Sequence, residues 1–194
     1  MKKIFLILLF FNLSFTSAYS IESDVFIQST VNRASQILTK DITREEKING
    51  LKIIAKETVD IKGIGFYSLG SARKDLNDSQ KKIYFDLFEG YFLKSFSSRL
   101  SEYTNPKIEV KSKKILNKNY TIVNSVLIST PDRPEVQIDW RVYTKNPDDP
   151  LIRDLIIEGL SLAVAQKAEF TSILNSNDGD INALFKILED FTKN

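Results

Sequence analysis

The sequence predicts an α+β fold, a four-stranded antiparallel sheet covered by N-terminal, central and C-terminal helices. Three observations carry this. Apolar residues recur at steps of three and four up to about residue 103 and again after residue 160, the spacing of one helix face. Between those stretches the period drops to two, the spacing of a strand with one buried face. Short turns rich in Asn, Asp and Pro separate the alternating runs, which favours an antiparallel meander.

The elements follow in order. Residues 24–39 carry Phe26, Val31, Ala34, Ile37 and Leu38 as a helical stripe. Thr43 and Glu46 form the capping box T-x-x-E; the helix it opens runs to about Glu57, with Ile48, Leu51, Ile54 and Ala55 on one side. Asp60 can cap a short helix ending near Gly70, where glycine suits the left-handed position beyond the last turn. The longest helix starts at Asn77 or Asp78 and runs to Tyr103. Tyr84, Phe88, Phe92, Phe96, Leu100 and Tyr103 fall at steps of three or four, and Ile83, Leu87 and Tyr91 widen the stripe. Gly90 in its middle signals a bend or a close approach.

Ile108 and Val110 begin the first strand. Residues 120–129 form the second, with Thr121, Val123, Ser125 and Leu127 on one face and Ile122, Asn124, Val126 and Ile128 on the other. In the third, Val136, Ile138, Trp140 and Val142 alternate with Gln137, Asp139, Arg141 and Tyr143. Leu151 to Ile157 makes the fourth. Turns fall at 116–119, 131–134 and 146–150. After Gly159 the chain returns to helix with Ser161 as N-cap, and Asp180 begins a last helix to about Phe191.

Composition narrows the chemistry. The chain has no Cys and no His. A disulfide framework is therefore excluded, as are Ser–His and Cys–His nucleophiles and most zinc and copper sites. An enzyme built from these residues would rely on carboxylates, Lys, Tyr or Arg. The formal charge of +2 comes entirely from Lys2 and Lys3, so residues 21–194 carry 25 bases and 25 acids. No sequence-wide basic footprint for nucleic acid or anionic membrane is present.

Residues 1–20 read as a secretory signal peptide. Lys2 and Lys3 precede an apolar run from Ile4 to Phe11, and Ala18 and Ser20 stand at −3 and −1 of a cut after Ser20; a cut after Ala18 is nearly as good. An uncleaved anchor needs about 18 apolar residues, and this run is shorter and broken by Asn12 and Ser14. The expected product is an exported, soluble, single domain over residues 21–194.

The segment Asp154-Leu155-Ile156-Ile157-Glu158-Gly159-Leu160-Ser161-Leu162 resembles the D-V-x-I-E-G-V-S signature of the MlaC family, also called the toluene-tolerance family. Leu69-Gly70, followed by Gln80 and the aromatic helix, is similar to its L-G-R-Y-W…Q…F…F stretch. Phe170-Thr171-Ser172-Ile173-Leu174, then Gly179 and Leu184 to Leu188, resembles its closing F-x-x-I-I…G…L-I-x-x-L. The sequence departs where Ser71-Ala72-Arg73 replace R-Y-W, where Lys167 replaces an Arg, and where Pro150-Leu151-Ile152-Arg153 lead in without a tryptophan.

The resemblance implies a periplasmic phospholipid carrier with no catalytic residues, no metal and no cofactor beyond its cargo. Such a carrier shuttles lipid between an outer-membrane lipoprotein complex and an inner-membrane ABC transporter complex with a membrane-anchored substrate-binding subunit. The role it implies is upkeep of outer-membrane lipid asymmetry. A branch of the family associated with hopanoid metabolism is an alternative.

Moving a diacyl lipid through water exposes its tails at about 0.8 kcal/mol per CH₂, which approaches ~25 kcal/mol for roughly 30 methylenes. The tails must be enclosed, so the resemblance adds an apolar cavity between sheet and helices. Its candidate lining comprises Ile64 and Leu69; Phe85, Phe88, Phe92 and Phe96 of the long helix; and Val123 and Val126 of the second strand. Val136, Ile138 and Trp140, then Leu155 and Ile157, and finally Leu160 and Val164 complete it. Periodicity alone favours a solid core over a cavity; only the resemblance reverses that preference.

Asp139, Asp154 and Glu158 could act as general bases or could tie strand ends to turns. Arg73, Arg141 and Arg153 could meet anionic lipid or a partner, or could be solvated surface. No charged headgroup clamp is legible. Two other function classes stay open: an enzyme with a cone-shaped fold using an Asp–Tyr pair, and an interaction module with an exposed groove.

Overall fold

The computed structural model describes residues 21–193 except Asp132; the predicted signal peptide lies outside the described residues. The architecture is α+β. Helices α1 (Ser23–Thr39), α2 (Arg44–Thr58), α3 (Ile61–Ser68) and α4 (Asp78–Leu100) precede strands β1 (Ile108–Asn117), β2 (Tyr120–Leu127), β3 (Val136–Tyr143), β4 (Leu151–Ile157) and β5 (Leu160–Ser161). Helices α5 (Leu162–Asn175) and α6 (Ile181–Lys193) follow, and a single 3-10 turn, Ala72–Lys74, links α3 to α4. No helix among the described residues is long and apolar enough to cross a membrane.

Local chemistry sets the helix starts. The capping box of α2 is complete: the Glu46 N–H donates to Thr43 Oγ1 at 3.2 Å, and the Thr43 N–H donates to Glu46 Oε2 at 2.8 Å. Asn77 and Gln80 make a second box for α4, Asp60 caps α3, and Ser161 caps α5. Gly70 takes the left-handed φ of +57° just past α3. Gly90 admits α6: a Cβ there would stand 3.2 Å from Thr192 Cγ2.

The sheet is antiparallel in the order β1-β2-β3-β4-β5, so it has five strands rather than the expected four. The chain does not return directly to helix after Gly159. Glu158 and Gly159, at φ +49° and +80°, form a tight two-residue turn, and Leu160–Ser161 pairs back onto Ile157 and Ile156. Both central residues at positive φ match the hairpin turn whose twist suits flanking strands. Two residues are too few to show an alternation, so the sequence pattern hides this strand.

Each sheet edge is covered over part of its length, while residues 111–117 of β1 stay exposed. Along β1, the Gln28 side chain of α1 accepts from the Val110 N–H at 3.2 Å and donates to the Ile108 carbonyl at 3.5 Å. Along β4, Val59 forms a parallel bridge to Ile152, and the Asp60 N–H donates to the Ile152 carbonyl at 2.9 Å. The rest of that edge carries β5. Arg153 reinforces the junction: its Nε donates to Asp60 at 2.6 Å, its Nη1 donates to the Tyr120 hydroxyl at 2.8 Å, and its plane lies 3.6 Å from the Tyr143 ring centroid.

Candidate functional site: the inner face of the sheet and the aromatic helix

The strand register sorts the residues into rows that cross the inner face. At one end, Thr121, Val142 and Ile152 stand opposite one another and are all buried. The next row is Val123, Trp140 and Leu155, of which Leu155 is only half-buried. The third row is Ser125, Ile138, Ile157 and Leu160. Its exposure climbs from 1% at Ser125 and 7% at Ile138, through a half-buried Ile157, to 62% at Leu160. In the last row, Leu127 is buried and Val136 half-buried. The apolar inner face is therefore sealed at one end and open at the corner where β3 begins and β4 meets β5.

Helix α4 packs its backbone chiefly against α2, α3 and α6, while α1, α3 and α5 are the helices whose backbones approach the strands most. Its aromatic side chains join the buried cluster that also contains the inner-face residues. Phe88 lies 5.6 Å from Tyr84, 6.2 Å from Phe92 and 6.1 Å from Phe170 by ring centroid, and Phe92 stacks on Phe96 at 5.6 Å. Phe88 is buried, whereas Phe92, Phe96 and the following Tyr103 are only half-buried against the core. Large, partly accessible rings and the half-buried inner-face residues Val136 and Leu155 all pack on that cluster, a seam between helix and sheet. Such a seam can admit an apolar chain if the rings rotate aside.

Two polar groups on the inner face are satisfied locally. The Trp140 indole N–H donates to Ser125 Oγ at 2.8 Å, and the Ser125 hydroxyl donates to the Ile138 carbonyl at 3.0 Å. Trp140 is thereby fixed as part of the wall. Burial pushes the Tyr84 phenol well above its ordinary range, and its hydroxyl donates to the Gly65 carbonyl at 2.8 Å.

Residues 28–190 match the family described as MlaC protein. The chain belongs to the MlaC family. Among solved structures, a phospholipid-binding protein from Ralstonia solanacearum in complex with a phospholipid is similar to this MlaC chain. It has a TM-score of 0.74 and 17% sequence identity, over 89% of this chain and 98% of that one. At that identity the likeness shows the shared fold. No curated protein matches the sequence.

The structure distributes the fifteen lining candidates unevenly. Ile64, Leu69, Phe88, Val123, Ile138 and Trp140 lie in one buried cluster, with Phe85, Phe92, Phe96, Val136 and Leu155 packed on its margin. Phe85 sits at the far end of the stack, beside Phe66 at 6.4 Å and under the Lys62 ammonium at 5.2 Å. Leu160 shares the inner face with Ile157 but forms its uncovered rim. Two candidates are corrected. Val126 pairs with Gln137 and Glu109 on the opposite face of the sheet, as its parity with Val123 requires. Val164 is 51% exposed and lines an open groove of about 540 Å³ between α3 and α5, beside Tyr67, Lys167 and Thr171.

Most of the residues expected to line the cavity belong to or pack on one contiguous buried cluster, with the seam as its half-open margin. A lipid would have to part rings that now touch.

The carboxylates serve the framework. Asp154, 2% exposed, accepts from Ser161 Oγ at 2.7 Å and from the Ala163 N–H at 3.0 Å, which locks the start of α5 to β4, and it forms an ion pair with Arg141 Nη1 at 3.4 Å. Asp139 accepts from Asn124 at 2.8 Å. Glu158, in the β4–β5 turn, accepts from the Gln137 N–H of β3. Replacing Asp154 with Ala orphans a buried N–H and removes the acceptor of a half-buried hydroxyl, and should cost about 2–3 kcal/mol. Thermal unfolding would then show a drop of roughly 5–10 °C for a domain of this size.

Proposed function

We propose that this protein is a phospholipid carrier of the cell envelope that holds acyl chains between the inner face of its sheet and α4. The observation that carries the reading is the aromatic seam: an apolar sheet face, buried at one end and open at the other, in one cluster with the partly accessible rings of α4. Membership of the MlaC family and the phospholipid in the Ralstonia solanacearum protein of the same fold support it. The chain works without catalysis or cofactor; its cargo is its ligand.

Loading exchanges ring–ring contacts for ring–chain contacts, so the closed arrangement and an open one need differ by only a few kcal/mol. Residues 1–20 direct the chain to the periplasm in this reading. There it passes lipid between an outer-membrane lipoprotein complex and an inner-membrane ABC transporter complex, maintaining outer-membrane lipid asymmetry. Catalysis by an Asp–Tyr pair has no comparable support, because Tyr84 donates to a backbone carbonyl and Asp154 is spent on the α5 cap.

Transfer between vesicles tests the proposal. Donor vesicles carrying a self-quenched fluorescent phospholipid are mixed with unlabelled acceptors. Fluorescence should recover at a rate proportional to the concentration of protein. A rate no higher than that of vesicles alone would contradict the carrier reading.

A further inference from the structure

A phosphate diester is the part of a phospholipid that the seam itself cannot satisfy, and one side chain at the open end of the sheet lacks an acceptor. Arg133 stands in the loop between β2 and β3, where its carbonyl accepts from the Thr130 N–H at 2.9 Å and its N–H donates back at 3.2 Å. Val136, on the open margin of the inner face, is three residues further on, within about 10 Å of chain. The Arg133 guanidinium lies 4.6 Å from the ring centroid of Tyr103, the half-buried aromatic residue just beyond α4.

Stacking on a ring satisfies the flat face of a guanidinium and leaves its in-plane donors free. Arg133 Nε is buried and has no hydrogen-bond partner; no other buried side-chain nitrogen or oxygen among the described residues is in that position. The contrast with Arg153 is informative. Arg153 also lies over a ring, but Asp60 and Tyr120 accept its in-plane donors. A buried donor without an acceptor costs free energy and calls for an explanation in a missing partner.

We infer that Arg133 is the headgroup contact of the carrier, its guanidinium fork taking the phosphate oxygens of a lipid whose chains enter the seam beside Val136 and Tyr103. The inference rests on the carrier reading above. Phosphate oxygens match the planar fork of arginine, which binds them through two parallel hydrogen bonds. In the closed arrangement the Nε is covered, and parting Tyr103 from the sheet to admit the chains is the motion that exposes it. Specificity would then lie in the phosphate common to phospholipids and not in the group esterified to it.

The test uses the full chain, stripped of lipid and offered an equimolar mixture of a phosphatidylethanolamine and a diacylglycerol with the same chains. Bound lipid is counted by mass spectrometry. Wild type should take the phospholipid with a preference of about tenfold or more, the worth of one charge-assisted hydrogen bond. Arg133→Ala and Arg133→Gln, confirmed as folded by circular dichroism, should bind diacylglycerol as before and lose that preference. Variants that keep the wild-type preference would overturn the assignment. So would Arg133-dependent binding of inorganic phosphate with unchanged lipid preference, which marks a free-anion site. If wild type takes up neither lipid, the carrier reading itself falls.

Discussion

Val136→Trp is expected to leave the protein folded and to cut its bound phospholipid at least tenfold. Val136 opens β3 on the inner face, opposite buried Leu127, and is itself only half-buried. A larger side chain there can swing into the seam without forcing a packed core apart. An indole would fill the proposed path of the acyl chains at the margin of the cluster on which Phe92 and Phe96 also pack. The neighbouring Ile138 makes an instructive contrast. It is 7% exposed, so Ile138→Trp overpacks a closed region at a cost of about 1–3 kcal/mol. Both substitutions should hinder loading, but only Val136→Trp should do so without a lowered melting temperature. Organic extraction followed by phosphorus assay, alongside a thermal melt, separates the two. A folded Val136→Trp variant with wild-type lipid content would show that the seam is not the route.

Phe88→Ala is expected to be the most destabilising single truncation of the aromatic layer, at about 3–5 kcal/mol. Its ring is 1% exposed and touches the rings of Tyr84, Tyr91, Phe92 and Phe170. It also lies against the backbone of α3, where only glycine fits: a Cβ on Gly65 would sit 2.7 Å from Phe88 Cδ1. Gly65→Ala alone should therefore destabilise through that clash. Combined with Phe88→Ala, the added methyl projects into the vacated volume, and the clash disappears. The double variant should be more stable than the sum of the two single losses predicts, a positive coupling readable from denaturant melts. Strict additivity would mean that the ring and the glycine do not constrain each other.

Much of this framework was legible because its signals are local. The Thr43–Glu46 box, the Asp60 and Ser161 caps and the glycine after α3 each act within four residues, and all form as the sequence suggests. Alternation in β2 and β3 was equally direct, and it separates Val123 from Val126; parity alone was enough to exclude Val126 from the inner face. Other features depend on tertiary neighbours. Periodicity names a face but not whether anything covers it, so Leu160 and buried Ile138 look alike along the chain. Val164 falls on the α5 stripe in sequence, yet α3 leaves that flank as an open groove. Arg133, between two prolines, looks like an ordinary turn residue. Its distinction is an acceptor missing in three dimensions, which no sequence pattern records.

The central claim is that the protein carries phospholipid between its sheet and α4, and native mass spectrometry tests it most directly. Protein expressed in a Gram-negative host, exported and purified without detergent or added lipid, should carry an adduct with the mass of a single phospholipid, identified by fragmentation. The Val136→Trp protein, prepared in parallel, should appear at its bare chain mass. Wild-type protein found only at its bare mass, in preparations that are folded and monodisperse, would contradict the account.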